Sequence, residues 1–289
     1  YPIRFDNRIY RNENVPPQSV GRLENFTDAE DVCGDIGDGW RLPTASELLM
    51  SFAYVNALGG NAEDYRYNES QNPYGWYQNW TGSYWSSSYY SDQGSDTRYE
   101  LEFAAGYQNS VPTSKNNYFR CVRNNSNSGT KYPYLNVGSA GVTIVSRDAN
   151  GGTDPSVLFA SGETPDTSDA MNKIAPKLQI ENTSSGGKTW AEAKAICEGK
   201  GSGWRLPTQR EMYLVLSMGG TNVSIENQGF GGLTTWTGSG FEKINAVHWT
   251  LTERDGGYWL VGFNNDEFGA WPQEGSVDWA WYRCVRNVP

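Results

Sequence analysis

An α+β fold made of two tandem copies of one unit, each with two helices, a small antiparallel sheet and long loops, follows from three observations. The run Gly39-Trp40-Arg41-Leu42-Pro43-Thr44 returns unchanged as Gly203-Trp204-Arg205-Leu206-Pro207-Thr208, 164 residues later. Repetition on this scale is the signature of a duplicated structural unit. Both runs continue into Thr-x-x-Glu, Thr44 to Glu47 and Thr208 to Glu211, with apolar residues behind. Each copy also carries one cysteine ahead of the run and one near its own end, Cys33 and Cys121 in the first and Cys197 and Cys284 in the second.

Thr-x-x-Glu before an apolar stretch is a capping box. The threonine hydroxyl accepts from the third helical amide, and the glutamate reaches back to the cap amide. A helix is therefore predicted from Thr44 and another from Thr208, with Pro43 and Pro207 holding the entering chain extended. Upstream, Thr27-Asp28-Ala29-Glu30 and Thr189-Trp190-Ala191-Glu192 read as a second pair of boxes. Gly34 and Gly199 stand where those helices would stop. Arg41 and Arg205 read as structural, each a partly buried guanidinium held by carbonyls or a carboxylate.

Strands are predicted at Ile3-Arg4-Phe5, Gly82–Ser88, Tyr99–Phe103, 118–124, Val142–Val145, Gly257–Phe263 and 279–287. Tyr99, Leu101 and Phe103 alternate onto one face. Residues 59–80 read as loop and 161–188 as a polar, irregular excursion. The Asn- and Ser-rich stretch from Asn124 to Thr130 reads as a linker. The domains are then 1–126 and 127–289, with 127–188 supplying linker and N-terminal strands.

The chain has 289 residues, a formal net charge of −10 and a pI near 4.7. That balance argues against a nucleic-acid partner, which calls for a basic face. No apolar run reaches the length of a transmembrane helix. Four cysteines allow three pairings. Repeat symmetry selects Cys33–Cys121 and Cys197–Cys284, each tying the first helix of a copy to its last strand. The alternative is two pairs of facing thiols in a reducing compartment.

This order resembles the C-type lectin fold: a helix with a cysteine, a glycine turn, a capped helix, long loops, antiparallel strands and a closing cysteine strand. More narrowly, Thr189-Trp190-Ala191-Glu192, Cys197, Trp204-Arg205-Leu206-Pro207-Thr208, Glu211, Trp249 and Arg283-Cys284-Val285-Arg286 resemble a bacterial surface family. That family includes the C-terminal domain of a collagen-like adhesin and parts of fimbrial-tip proteins. The resemblance implies two tandem lectin-like domains with a ligand site in the long loops. Arg-Leu-Pro-Thr-x-x-Glu is also similar to the signature of formylglycine-generating enzymes. That chemistry would need cysteines in the site, whereas here all four belong to symmetric pairs.

His248 is the one histidine, beside Trp249 on a predicted strand, and reads as an incidental strand residue rather than a catalytic base. Sequence motifs for zinc or nucleotide sites are missing, and so are the Pro-centred triplets of calcium-dependent lectins, so no metal or cofactor is expected. Aromatic side chains are the candidates for ligand binding, since they stack on sugar C–H faces and anchor protein interfaces. They are Trp76, Tyr77, Trp80 and Tyr84 in copy one, and Trp236, Trp271, Trp279 and also Trp281 in copy two. Trp80 and Trp236 are shared by the copies and lean toward core. Trp85 and Trp249 match between copies and are assigned to core outright.

The function expected from the sequence is that of an exported, outer-membrane-associated surface protein. It would be a non-enzymatic adhesin holding a glycan or a host or bacterial surface protein through loops 59–98 and 217–248 and the segment 264–279. A pilus or surface-layer subunit, packed against other pilus subunits, is the alternative.

Overall fold

The computed structural model describes residues 3–5, 23–55, 82–89, 96–103, 107–124, 134–138, 141–145, 174–175, 177–201, 203–219, 246–254, 257–264, 267–273 and 279–288. The first copy runs β1 (Ile3–Phe5), α1 (Phe26–Asp35), α2 (Ala45–Val55), β2 (Ser83–Trp85), β3 (Thr97–Glu102), β4 (Tyr107–Pro112) and β5 (Val122–Asn124). A hairpin follows, β6 (Tyr134–Gly138) and β7 (Gly141–Val145). The second copy opens with β8 (Lys177–Ile180), β9 (Ser185–Lys188), α3 (Trp190–Gly199), β10 (Trp204–Arg205) and α4 (Gln209–Gly219). It continues with β11 (His248–Arg254), β12 (Gly257–Asn264), β13 (Glu267–Gln273), β14 (Ala280–Tyr282) and β15 (Val285–Asn287).

The capping boxes at Thr44, Thr189 and Thr208 form as the sequence predicts. The Glu47 amide donates to the Thr44 hydroxyl at 3.2 Å while the Thr44 amide donates to the Glu47 carboxylate at 2.8 Å. Thr208 and Glu211 repeat this at 3.2 and 2.9 Å, and Thr189 and Glu192 at 3.3 and 3.0 Å. The box read at Thr27 is a correction. Helix α1 starts two residues earlier, on Asn25, whose side chain accepts from the Asp28 amide at 3.1 Å. The 164-residue offset places Asn25 opposite Thr189; a second Thr-x-x-Glu pattern two residues along hid this.

Residues 161–188 are a second correction. Their end holds β8 and β9, which pair antiparallel with β15 and β14. In β8, Leu178 and Ile180 are buried, so a four-residue strand sits inside a polar stretch too short to show its period. Strand β9 is Ser-Gly-Gly-Lys, which has no apolar residue to announce it; its neighbour supplies the pairing.

The two copies share their topology. Strand β1 pairs antiparallel with β5 and β8 with β15, so that Phe5 faces Val122 as Ile180 faces Val285. Arg41 bridges Val122 as Arg205 bridges Val285. Strands β2, β3 and β4 form a meander, and β11, β12 and β13 form its counterpart. In the second copy, β14 and β9 extend that sheet, and the β6–β7 hairpin adds to β8.

Each copy has a small core around its disulfide. One holds Phe26, Cys33, Leu42, Trp85 and Cys121, the other Cys197, Leu206, Trp249, Leu260 and Cys284. A larger core draws on both copies, with Leu48, Leu49, Phe52 and Phe103 meeting Met212, Tyr213, Leu216, Trp259 and Val261. It is organised by α2 lying against α4. The Phe52 and Tyr213 rings meet edge to face at 5.4 Å. Burying each such side chain contributes about 1.5–3 kcal/mol, so this joint core is a principal source of stability.

Candidate functional site

The repeated signature is a scaffold element in both copies. Arg41 donates through Nη1 and Nη2 to the two carboxylate oxygens of Glu47, each at 2.7 Å, and Nη1 also reaches the Leu42 carbonyl. Arg205 grips Glu211 the same way at 2.6 and 2.8 Å and donates from Nη2 to the Asn287 amide oxygen at 2.7 Å. The glutamate thus serves the helix cap and the arginine at once. A planar guanidinium fits this two-point contact where a lysine would not. The hydrogen bond that Arg41 donates to the Glu47 carboxylate raises the Arg41 pKa.

The two clamps differ in exposure. The Arg41 side chain is 42% exposed and that of Arg205 only 3%. Residues around the second clamp close it. Asn287 on β15 covers Arg205, and the Ala175 amide donates to Glu211 at 3.1 Å. Beside each clamp an arginine of the closing strand lies over the signature tryptophan, Arg123 over Trp40 at 4.9 Å and Arg286 over Trp204 at 5.1 Å.

The second repeated feature is a buried polar slot on the parallel contact between β2 or β11 and the closing segment. Tyr84 stands opposite Tyr118, and His248 opposite Trp281. Tyr84 hydrogen-bonds Arg120, and burial raises its pKa. In the second copy, Ser184 stands between the imidazole and the arginine. Arg283 donates to the Ser184 hydroxyl oxygen at 2.7 Å, and that oxygen lies 2.8 Å from His248 Nε2. Nδ1 lies 2.8 Å from the Ala246 carbonyl, which can only accept. Nδ1 therefore carries the proton and Nε2 accepts from Ser184. Burial, with Arg283 nearby, holds the His248 pKa down at about 3.

A serine–histidine contact resembles the start of a hydrolytic dyad, but its place in the repeat argues for scaffold. The tyrosine of copy one fills the same position and reaches its arginine directly; the shorter histidine needs a serine between. Ser184 was missed because it lies in the stretch read as irregular.

Four cysteines form two disulfides, Cys33–Cys121 and Cys197–Cys284, as repeat symmetry selects. Trp85 and Trp249 are core, and the indole of each donates at 2.8 Å to a carbonyl just ahead of the first helix of its copy, Glu24 and Lys188. Tyr84 is a correction. It is buried against Phe103 and Tyr118 and presents no face to a ligand. Trp76, Tyr77, Trp80 and Trp236 lie outside the described residues. Trp271 is on β13, opposite Leu260.

Trp279 is the candidate that stands in solvent. At 61% exposure it is the most open large apolar side chain among the described residues, the others being Leu23 and Ile196. It immediately precedes β14, and Trp281 follows two residues on, so both project to one side of that strand while Ala280 and Tyr282 turn into the core. Beneath them runs β9. A Cβ on Gly187 would meet the Trp279 ring at 3.4 Å, and one on Gly186 would meet three adjacent ring carbons of Trp281 at 3.5, 3.6 and 3.7 Å. Such near-equal distances place Gly186 under the face of that ring rather than at its edge.

No family model matches this chain, and no curated protein matches its sequence.

The charged and polar repeats hold the backbone, and among the described residues the open aromatic side chain lies at the β9–β14 edge. The Ser-Ser-Gly-Gly run at Ser184–Gly187 was the available signal: its two glycines put no side chain beside the neighbouring tryptophans.

Proposed function

We propose that this protein is an exported, non-enzymatic adhesin, built from two lectin-like domains at 1–126 and 127–289, that holds a glycan or a surface protein on exposed aromatic residues and long loops. The observation that carries this reading is Trp279, the most exposed large apolar side chain among the described residues. An exposed tryptophan beside polar backbone is suited to recognition, whereas an arginine clamp or a buried histidine is suited to holding a fold. Two long-range disulfides fit a role outside the cell, and no described helix is long and apolar enough to cross a membrane.

The competing role is a pilus or surface-layer subunit. One observation favours it: β6 stands at the end of its sheet and pairs on one side only among the described residues, an edge able to accept a strand from another subunit.

Purified protein would be screened on a glycan array and on immobilised surface and matrix proteins, with and without a calcium chelator. Saturable binding to either class that persists in chelator is expected. Absence of saturable binding to both would overturn the adhesin reading, and concentration-dependent self-assembly in its place would establish the subunit role.

A further inference from the structure

We infer that the β9–β14 edge is a calcium-independent subsite for an uncharged sugar ring, with Trp279 as the stacking face. The inference rests on the adhesin reading and narrows it to one place and one ligand chemistry.

Three observations converge there. The first is the indole itself, its six-membered ring 3.4 Å from where a Cβ on Gly187 would stand and most of its surface in solvent. The glycine pair puts no side chain of its own beside either tryptophan, and the Trp281 ring lies with its face over Gly186. A hexose offers the complementary surface, a patch of C–H groups about the size of an indole.

The second is the strand edge. Strand β9 is the outer strand of its sheet and pairs only with β14 among the described residues. Among the described residues no strand covers its outer side, where backbone N–H and C=O groups lie next to the indole. A sugar ring has both halves of that chemistry, an apolar face to stack and a rim of hydroxyls that donate and accept. A lipid or an apolar helix would leave those backbone groups without partners, which is unfavourable.

The third is scale and charge. A stable protein interface buries roughly 800 Å² on each partner. Among the described residues one open indole stands beside a strand of four residues, and the other exposed large apolar side chains, Leu23 and Ile196, belong to different elements, Leu23 ahead of α1 and Ile196 on α3. That area suits one or two sugar rings. The chain's net charge of −10 disfavours sialylated or sulfated glycans and leaves neutral ones. A single stacked ring binds weakly, so useful affinity requires several copies on one surface.

The test uses the full chain displayed on beads, probed with uncharged oligosaccharides ending in hexose or N-acetylhexosamine, and with their sialylated and sulfated counterparts. The wild type is expected to retain neutral probes, with no change in chelator. Trp279→Ala is expected to lose at least tenfold in retention with its thermal midpoint unchanged, because the side chain is mostly in solvent. Trp279→Phe, which keeps an aromatic face, recovers part of the binding, and Gly187→Val, which displaces the ring, lowers it. Ile196→Ala is the surface control and leaves binding alone.

Neutral-sugar binding that survives Trp279→Ala overturns the subsite and leaves the adhesin reading standing. Binding only to acidic glycans, or only to a protein, does the same. Loss of every ligand class in the wild type overturns both.

Discussion

Arg210 donates through one guanidinium nitrogen to the carbonyl of Phe52 at 2.8 Å and to that of Ala53 at 3.1 Å, from the first turn of α4 to the last turns of α2. The side chain is buried, and its guanidinium lies 4.9 Å from the Phe52 ring. Burial holds its pKa down at about 10, so the charge is costly where it sits. Helix C-terminal carbonyls, which carry partial negative charge, offset that cost. The matching residue of the first copy is Ser46, so this tie is made in one direction only.

Arg210→Ala is therefore expected to lower stability by about 2–4 kcal/mol, since it leaves a cavity and two helix-end carbonyls without their donor. Urea unfolding measures it. A loss below about 0.5 kcal/mol would mean that α2 and α4 are held by their apolar contacts alone.

The two clamps give a paired prediction. Arg41→Lys and Arg205→Lys each replace a two-point contact by a single ammonium. The first is screened by water and is expected to cost about 0.5–1 kcal/mol, the range of exposed ion pairs. The second leaves the buried Glu211 carboxylate without its matched donor and is expected to cost about 3–5 kcal/mol. Added salt should shift the Arg41 variant toward wild type and leave the Arg205 variant unchanged. Equal losses would show that the difference in exposure does not govern the pair.

Helix α1 separates two readings of its start. Asn25→Ala removes the acceptor for the Asp28 amide and is expected to cost about 1 kcal/mol. Thr27→Ala, one residue inside the helix and exposed, is expected to stay within about 0.5 kcal/mol of wild type. Asn25→Thr supplies the residue of the other copy and should recover most of the loss. Thermal or urea unfolding ranks the three, and a larger loss at Thr27 would restore the cap read from the sequence.

Much of the fold was legible because the duplication doubles every signal. One Trp-Arg-Leu-Pro-Thr-x-x-Glu is a suggestion; two at a fixed spacing with matched cysteines give the helix starts and select the disulfide partners. Legibility failed where a feature has no period. Strand β9 contains no apolar residue, so only its partner reveals it. Tyr84 carries the composition of a binding residue, and only packing shows that its hydroxyl serves Arg120 inside the fold. Trp279 and Tyr84 look alike in sequence, and strand geometry turns one out and the other in. The neighbours of the two tryptophans on β9 are Gly186 and Gly187, which carry no side-chain chemistry to notice.

His248 yields a dependence on acidity that can be isolated, because it is the sole histidine of the chain. Its folded pKa is about 3 and its ordinary value 6.5. Between those values the unfolded chain takes up a proton that the folded protein refuses, so the unfolded state binds more protons and stability falls as pH drops. The contribution is fully present above pH 6.5 and is lost progressively toward pH 3, at a slope approaching about 1.4 kcal/mol per pH unit. His248→Gln keeps an amide able to meet Ser184 and cannot titrate in this range. Urea unfolding of both proteins at pH 7, 6, 5 and 4 should give curves that lie apart at pH 7 by a fixed packing cost and converge as the wild type loses its His248 contribution. Curves that stay parallel would show that protons reach His248 in the folded protein as readily as in the unfolded chain, and the buried slot with Ser184 and Arg283 would then be open to water.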